Sequence, residues 1–238
     1  MSIDVQIWSD IACPWCFIGK RRFEKALAAF PERDQVRVTW RSYQLDPTLP
    51  EHYDGSEVDY LVAAKGIPRE NIQEMIGYVG QQAEGEGLAY DFGRLVVANS
   101  RRAHRVLQAA KRADQADGGG RTDALEEALF SAHFENGADI GDVDTLVALS
   151  AEAGLEETTV RAALDSVELD AAVDADVQDG LTIGVRGVPF FVVNNAYGVS
   201  GAQPSEVFTQ VLERALADQR PKLIDVGGEG EACGPEGC

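Results

Sequence analysis

Cys13-Pro14-Trp15-Cys16 stands between a short strand pattern and the start of an amphipathic helix, and that placement narrows the fold more than any other feature of the chain. Val5-Gln6-Ile7-Trp8 alternates apolar with polar residues, which is the period of a strand. After the cysteines, Phe17, Ile18, Phe23, Leu27 and Phe30 recur at helical spacing until Pro31 stops the pattern. Val36 to Tyr43 is rich in β-branched and aromatic residues and predicts a second strand. Strand, helix and strand in such close succession make a βαβ unit, whose two strands pair in parallel.

Pro47 and Pro50 break this pattern, and no strand signal returns until about residue 180. The intervening sequence predicts helices. One carries Leu95, Val96, Val97, His104, Val106, Leu107 and Ala110 and ends at Gly118-Gly119-Gly120. A second carries Leu125, Leu129, Phe130 and Phe134. A third starts with Asp142 as N-cap and stops at Gly154, a fourth covers Val160 to Leu164, and a fifth runs from Glu168 to Ile183 before Gly184. Pro189-Phe190-Phe191-Val192-Val193 then reads as a strand, and Asn194-Asn195-Ala196-Tyr197 as the turn into its hairpin partner. A last amphipathic helix spans Pro204 to Ala217. The expected fold is α/β, with residues 1–50 and 184–220 forming one domain and 51–183 an all-helical insertion. Residues 221–238 form an acidic, Gly-rich tail expected to be flexible.

The chain has 238 residues and a net charge of −19, from 21 Lys+Arg against 40 Asp+Glu. That balance argues against non-specific nucleic-acid binding, which needs clustered Lys and Arg, and against adsorption to an anionic membrane. No apolar run approaches the ~20 residues of a membrane-spanning helix. The first residues lack a basic region followed by an apolar one, so the expected location is cytoplasmic. Structural disulfides are rare in that compartment. Paired cysteines there point to redox chemistry or metal.

Cys13 falls at a helix N-terminus, where unpaired N–H groups and the positive end of the helix dipole favour an anion. A thiolate is an anion, so its pKa is expected to fall into the range of roughly 3.5–7.5 found in such motifs. Cys16 lies one turn further on, within reach of a mixed disulfide on Cys13; Cys13, at the helix tip, is expected to be the exposed, reactive thiol and Cys16, inside the helix, the shielded one. Pro14 lacks an N–H and suits the first helical position, and Trp15 is expected over the active surface. Half of a zinc site, or a buried structural pair, is the competing reading. It needs four ligands, and the other two cysteines are Cys233 and Cys238, at the far end of the chain. The three histidines show no ligand spacing. Val188-Pro189, before the third strand, reads as a turn with an X-Pro bond open to either isomer.

Four segments carry a family resemblance: Ser9 to Cys16, Asn99 to Arg105, Gly187 to Val192, and Ser200 to Pro204. In that order they resemble the DsbA-like branch of the thioredoxin superfamily, in particular its FrnE-type cytoplasmic subgroup. The resemblance implies a thioredoxin-like fold interrupted by a helical domain. It also implies Cys13 as nucleophile, Cys16 as resolving thiol, and a cis Pro189 whose neighbour Val188 offers backbone groups to an extended substrate. The sequence is similar as well to glutathione-dependent 2-hydroxychromene-2-carboxylate isomerases and kappa-class glutathione transferases. These usually carry Ser where this chain has Cys13.

His104 has two readings: a partner of the Cys13 thiolate or of substrate, or a satisfied core residue. Asp10 can oppose the thiolate by like charge or serve in proton transfer, or it can be an N-cap or solvated side chain. Cys233-Gly234-Pro235-Glu236-Gly237-Cys238 ends the chain. About fifteen Gly-rich residues give such a tail a reach of about 21 Å, enough for Cys233 and Cys238 to exchange with the Cys13/Cys16 pair. Incidental thiols on an acidic tail are the plain alternative. The expected activity is thiol–disulfide exchange with protein substrates, with Cys13 and Cys16 catalytic and Pro14, Trp15, Val188, Pro189 and His104 at the substrate. No cofactor or metal is required, and glutathione is a candidate co-substrate. Expected partners are thiol- or disulfide-containing proteins and small thiols, and the insertion's apolar face suits a homodimer. A glutathione-dependent isomerase or transferase is the enzymatic alternative. A redox-sensitive chaperone, or a soft-metal binder using the tail cysteines, is the non-enzymatic one.

Overall fold

The computed structural model describes residues 2–51 and 53–219; Cys233 and Cys238 therefore lie outside the described residues. Strand β1 (Ile3–Ser9) leads into helix α1 (Pro14–Ala29), and strand β2 (Val36–Ser42) returns beside β1 in parallel, pairing Ile3 with Val36 and Ser9 with Ser42. This is the expected βαβ unit. Strands β3 (Phe190–Val193) and β4 (Tyr197–Ser200) complete a mixed sheet of order β2-β1-β3-β4, with β3 antiparallel to both its neighbours. Asn194 and Asn195 both take left-handed φ, 52° and 53°, as a type I′ turn requires, and the Ala196 N–H closes it on the Val193 carbonyl.

The pleat of β1 sorts its side chains. Ile3, Val5 and Ile7 face a core with Phe23 and Ala26 of α1 and Phe208 and Leu212 of α9 (Ser205–Gln219). Trp8 lies in a separate cluster with Val185 and Val192. Its indole N–H donates to the Asp176 carbonyl at 2.7 Å, tying the sheet to a helix of the insertion.

Between β2 and β3 lie α2 (Glu57–Lys65), α3 (Arg69–Gly85), α4 (Arg101–Asp117), α5 (Arg121–Phe134), α6 (Val143–Glu152), α7 (Glu157–Leu164) and α8 (Val167–Ile183). The segment is all-helical, as expected, with two corrections. The helix expected to include Leu95 to Val97 begins only at Arg101, because Asn99 Oδ1 accepts the Arg101 N–H and ends the preceding loop. Leu95 and Val97 are buried, but as loop residues. Helices α2 and α3 were not expected. Pro68 stands at the N-cap of α3 and Gly66 caps α2, and α3 buries only Ile72 and Ala83, so its apolar stripe is thin. Asp142 caps α6 through the Thr145 N–H, and Gly184 closes α8 with φ of 92°, both as read from the sequence.

Aromatic rings join α1 to the insertion. Phe17, next to Cys16, stacks on Phe130 with centroids 5.1 Å apart, and Phe130 in turn stacks on Phe134. The cluster that holds Ile11, Cys13, Cys16 and Phe17 thus also holds Val106, Leu125 and Leu129. The cysteine motif sits where the sheet-side helix meets the helical block. Among the described residues no helix is long and apolar enough to cross a membrane.

Candidate active site

Cys13 is the N-cap of α1, in extended conformation, and Pro14 occupies the first helical turn. The chain reaches this point through a tight turn: the Cys13 N–H donates to the Asp10 carbonyl at 3.0 Å, and the Cys16 N–H donates to the Cys13 carbonyl at 3.0 Å. Both thiols are free.

The Val188-Pro189 bond is cis, and its loop lies against the motif. The Cys13 thiol faces the Val188 carbonyl at 3.6 Å. Behind it, Gly19 leaves room for the proline ring: a Cβ there would come within 2.8 Å of Pro189 Cγ. The loop and α1 are therefore packed to contact at a position only glycine fills without displacement.

One expectation is corrected. Cys13 was expected to be exposed and Cys16 shielded, yet Cys13 is 4% exposed against 1% for Cys16. The Val188 carbonyl lies over Cys13, and both cysteines are packed into the cluster that holds Val106, Leu125 and Leu129 of the insertion. The Cys16 thiol is pushed well above its usual range, first by burial and then by hydrogen bonding to Cys13 and by its charge; the Asp10 N–H and the Ser9 hydroxyl oppose these effects.

Asp10 is neither solvated nor the N-cap of α1. It is 1% exposed, and its carboxylate accepts the Ala12 N–H at 3.2 Å and the Leu45 N–H at 2.7 Å. His104 Nε2 approaches it at 3.3 Å. Burial alone would raise the Asp10 pKa. His104, through hydrogen bonding and charge, and the Leu45 N–H outweigh it and hold the carboxyl below the usual value. His104 is thus placed on Asp10, and its Nδ1 is buried with no partner.

Trp15 is half-buried, with its ring 6.0 Å from that of Tyr78 on α3. Tyr78 and Leu45 are both about half exposed and give this side of the molecule an apolar rim. The Tyr90 hydroxyl donates to the Pro14 carbonyl at 2.7 Å and fixes the first turn of the motif from the insertion. Sequence reading did not find Tyr90, Tyr78 or Ser9 as site residues. Nothing in their local pattern marks Tyr90 or Tyr78, whereas Ser9 directly precedes Asp10. A separate cavity of about 300 Å³ is lined by Gln44, Asn99, Arg101, Arg102, Arg105 and Asp170 among others, and by neither cysteine. Its Arg101 and Arg105 are already paired with Asp170.

A βαβ unit with a dithiol at its first strand–helix junction, facing a cis-proline loop before an antiparallel hairpin, defines a thioredoxin-like fold with a helical insertion. The chain belongs to the DSBA-like thioredoxin domain family, whose model matches residues 4–213. It is similar to the probable DsbA oxidoreductase SCO1869 of Streptomyces coelicolor, at 44% identity and a TM-score of 0.84, covering 99% of this chain and 98% of that one. The fold is shared with a 2-hydroxychromene-2-carboxylate isomerase (14% identity, TM-score 0.63, covering 92% of this chain and 100% of that one). It is shared also with the cytosolic disulfide reductase DsbM of Pseudomonas aeruginosa, solved with GSH (19% identity, TM-score 0.61, 90% and 99% covered).

Proposed function

We propose that this protein is a thiol–disulfide oxidoreductase that exchanges disulfides with protein substrates through Cys13 and Cys16. The observation that carries this reading is the pair of free thiols one helical turn apart, with Cys13 at the helix cap and facing the Val188 carbonyl. Cys13 attacks or is attacked, and Cys16 resolves the mixed disulfide. Pro14 shapes the first turn. Trp15 and the Val188-Pro189 loop hold an extended substrate segment beside Cys13, and the exposed side chains of Leu45 and Tyr78 favour a polypeptide with apolar residues near its cysteine. His104 acts on this surface through Asp10.

The chemistry needs no cofactor or metal, and small thiols such as glutathione serve as co-substrates. The protein works in the cytoplasm, as the P. aeruginosa reductase of the same fold is named to do. Cys233 and Cys238, on the tail, relay the disulfide outward. The isomerase alternative gains no support from the site, because Cys13 stands where a serine would be expected for it.

Alkylation order tests the assignment of roles. In the reduced protein at mildly acidic pH, iodoacetamide is expected to label Cys13 well before Cys16, because burial and Cys13 itself keep Cys16 protonated. Peptide mapping reads the order. Equal labelling, or faster labelling of Cys16, contradicts it.

A further inference from the structure

Trp15, Gly19 and Arg22 recur at helical spacing and share one face of α1. Trp15 meets Tyr78 of α3, and Gly19 lies against Pro189 and Ala202. Arg22 reaches both sides. Its Nε donates to Glu86 Oε1 at 2.6 Å, its Nη1 to the Ala202 carbonyl at 2.6 Å and its Nη2 to Gln82 Oε1 at 2.9 Å. Gln82 is one turn beyond Tyr78 on α3, and Glu86 is the C-cap of that helix. Ala202 follows Gly201, whose N–H donates to the Pro189 carbonyl at 2.8 Å. One guanidinium therefore ties the end of α3 and the segment that holds the cis-proline loop to the helix that starts beside Cys13. The Arg22 and Glu86 side chains are only 14% and 17% exposed, so water competes weakly for these bonds. Arginine presents its donors in a rigid planar fork, which fixes the spacing of the acceptors it binds.

We propose that Arg22 is a positioning residue that fixes the gap between α3 and the cis-proline loop, and so governs the binding of polypeptide disulfides while leaving small disulfides unaffected. The inference rests on the oxidoreductase reading above. A polypeptide laid beside Cys13 meets Trp15 and Tyr78 on one side and the Val188-Pro189 loop on the other, so its binding depends on how far apart these stand. A small disulfide needs only the Cys13 sulfur. Arg22 acts through the two walls: its three bonds go to Gln82, Glu86 and Ala202, and to no residue of the cysteine motif. Lysine at this position keeps a positive charge near Glu86, but a single ammonium on a flexible stem does not reproduce the three-way tie.

Two probes of different size test this: insulin, reduced under dithiothreitol over a range of insulin concentrations, and Ellman's reagent. The parent protein is the full chain with Cys233→Ser and Cys238→Ser, so that only Cys13 and Cys16 report. Arg22→Lys is expected to raise the KM for insulin about tenfold and to keep kcat within about twofold. Its rate with Ellman's reagent is expected to stay within about twofold of the parent's. Gln82→Ala releases only α3 and is expected to raise the insulin KM about threefold, again with no change toward Ellman's reagent. Circular dichroism establishes that each variant is folded, and if Arg22→Lys is not, Gln82→Ala decides by the same criteria. An insulin KM equal to the parent's overturns the proposal. Equal losses toward insulin and Ellman's reagent assign Arg22 to general support of the fold and also overturn it. If the parent reacts at Cys13 with neither probe, the oxidoreductase reading itself fails.

Discussion

Cys13→Ser is expected to abolish disulfide exchange, down to the uncatalysed rate, while Cys16→Ser keeps the first attack and accumulates mixed disulfides. The two cysteines differ only slightly in exposure, 4% and 1%, so the asymmetry comes from position. Cys13 caps α1, beside the Val188 carbonyl where a substrate segment would run. Cys16 is inside the first turn, buried, and held as a thiol by burial and by Cys13. Serine at position 13 removes the proposed nucleophile, because a hydroxyl is not ionised at neutral pH and forms no disulfide. Serine at position 16 removes only the escape from the mixed disulfide. Insulin reduction and exchange with oxidised glutathione measure the first effect, and non-reducing mass spectrometry of trapped adducts measures the second. Retained exchange in Cys13→Ser, or no trapped adducts in Cys16→Ser, contradicts the assignment.

Asp176→Ala is expected to cost about 3–5 kcal/mol of folding stability at neutral pH, the usual penalty for removing one partner of a buried ionic network. Asp176 is 3% exposed on α8 and holds four groups of two other elements. Its carboxylate accepts from Arg41 at 2.6 Å, the Ser42 N–H at 3.1 Å, Gln108 at 2.6 Å and Lys111 at 2.7 Å. The substitution leaves the Lys111 charge, already disfavoured by burial, without its nearest carboxylate. Burial alone would raise the Asp176 pKa, but the charge and hydrogen bond of Lys111 and the contacts of Arg41 and Ser42 hold it below the usual value. The contribution of a carboxyl with a depressed pKa is complete above its unfolded value of about 3.9 and is lost as pH falls through the folded value. Urea midpoints are therefore expected to differ widely at about pH 7 and to converge as acid protonates the carboxyl. A gap that stays constant into acid contradicts the electrostatic account.

The parts of the fold that were legible in the sequence are those fixed by local chemistry. Cys13-Pro14 at a helix start, the Asn194-Asn195 turn, Asp142 as a cap and Gly184 as a stop each act within a few residues, and each stands where it was read. Helices α2 and α3 were missed because proline and glycine punctuate them and because few of their side chains are buried. Leu95 to Val97 imitated a helical stripe, since a loop packed against the core also needs apolar side chains. The surroundings of the thiols were the least legible. The Asp10–His104 contact spans 94 positions, and the Tyr90 hydroxyl reaches Pro14 across 76. Neither separation leaves a periodic trace. The shielding of Cys13 escaped for the same reason, because the elements that cover it arrive from distant parts of the chain.

The central claim is that Cys13 and Cys16 cycle between dithiol and disulfide. The most direct measurement equilibrates the full chain across a series of reduced-to-oxidised glutathione ratios, quenches in acid and maps every cysteine. The account predicts reversible interconversion of the dithiol and a Cys13–Cys16 disulfide, with the two-electron dependence on glutathione that such a pair requires. A pair that stays reduced at every ratio, or that ends as a glutathione adduct on Cys13 with Cys16 still free, would contradict it.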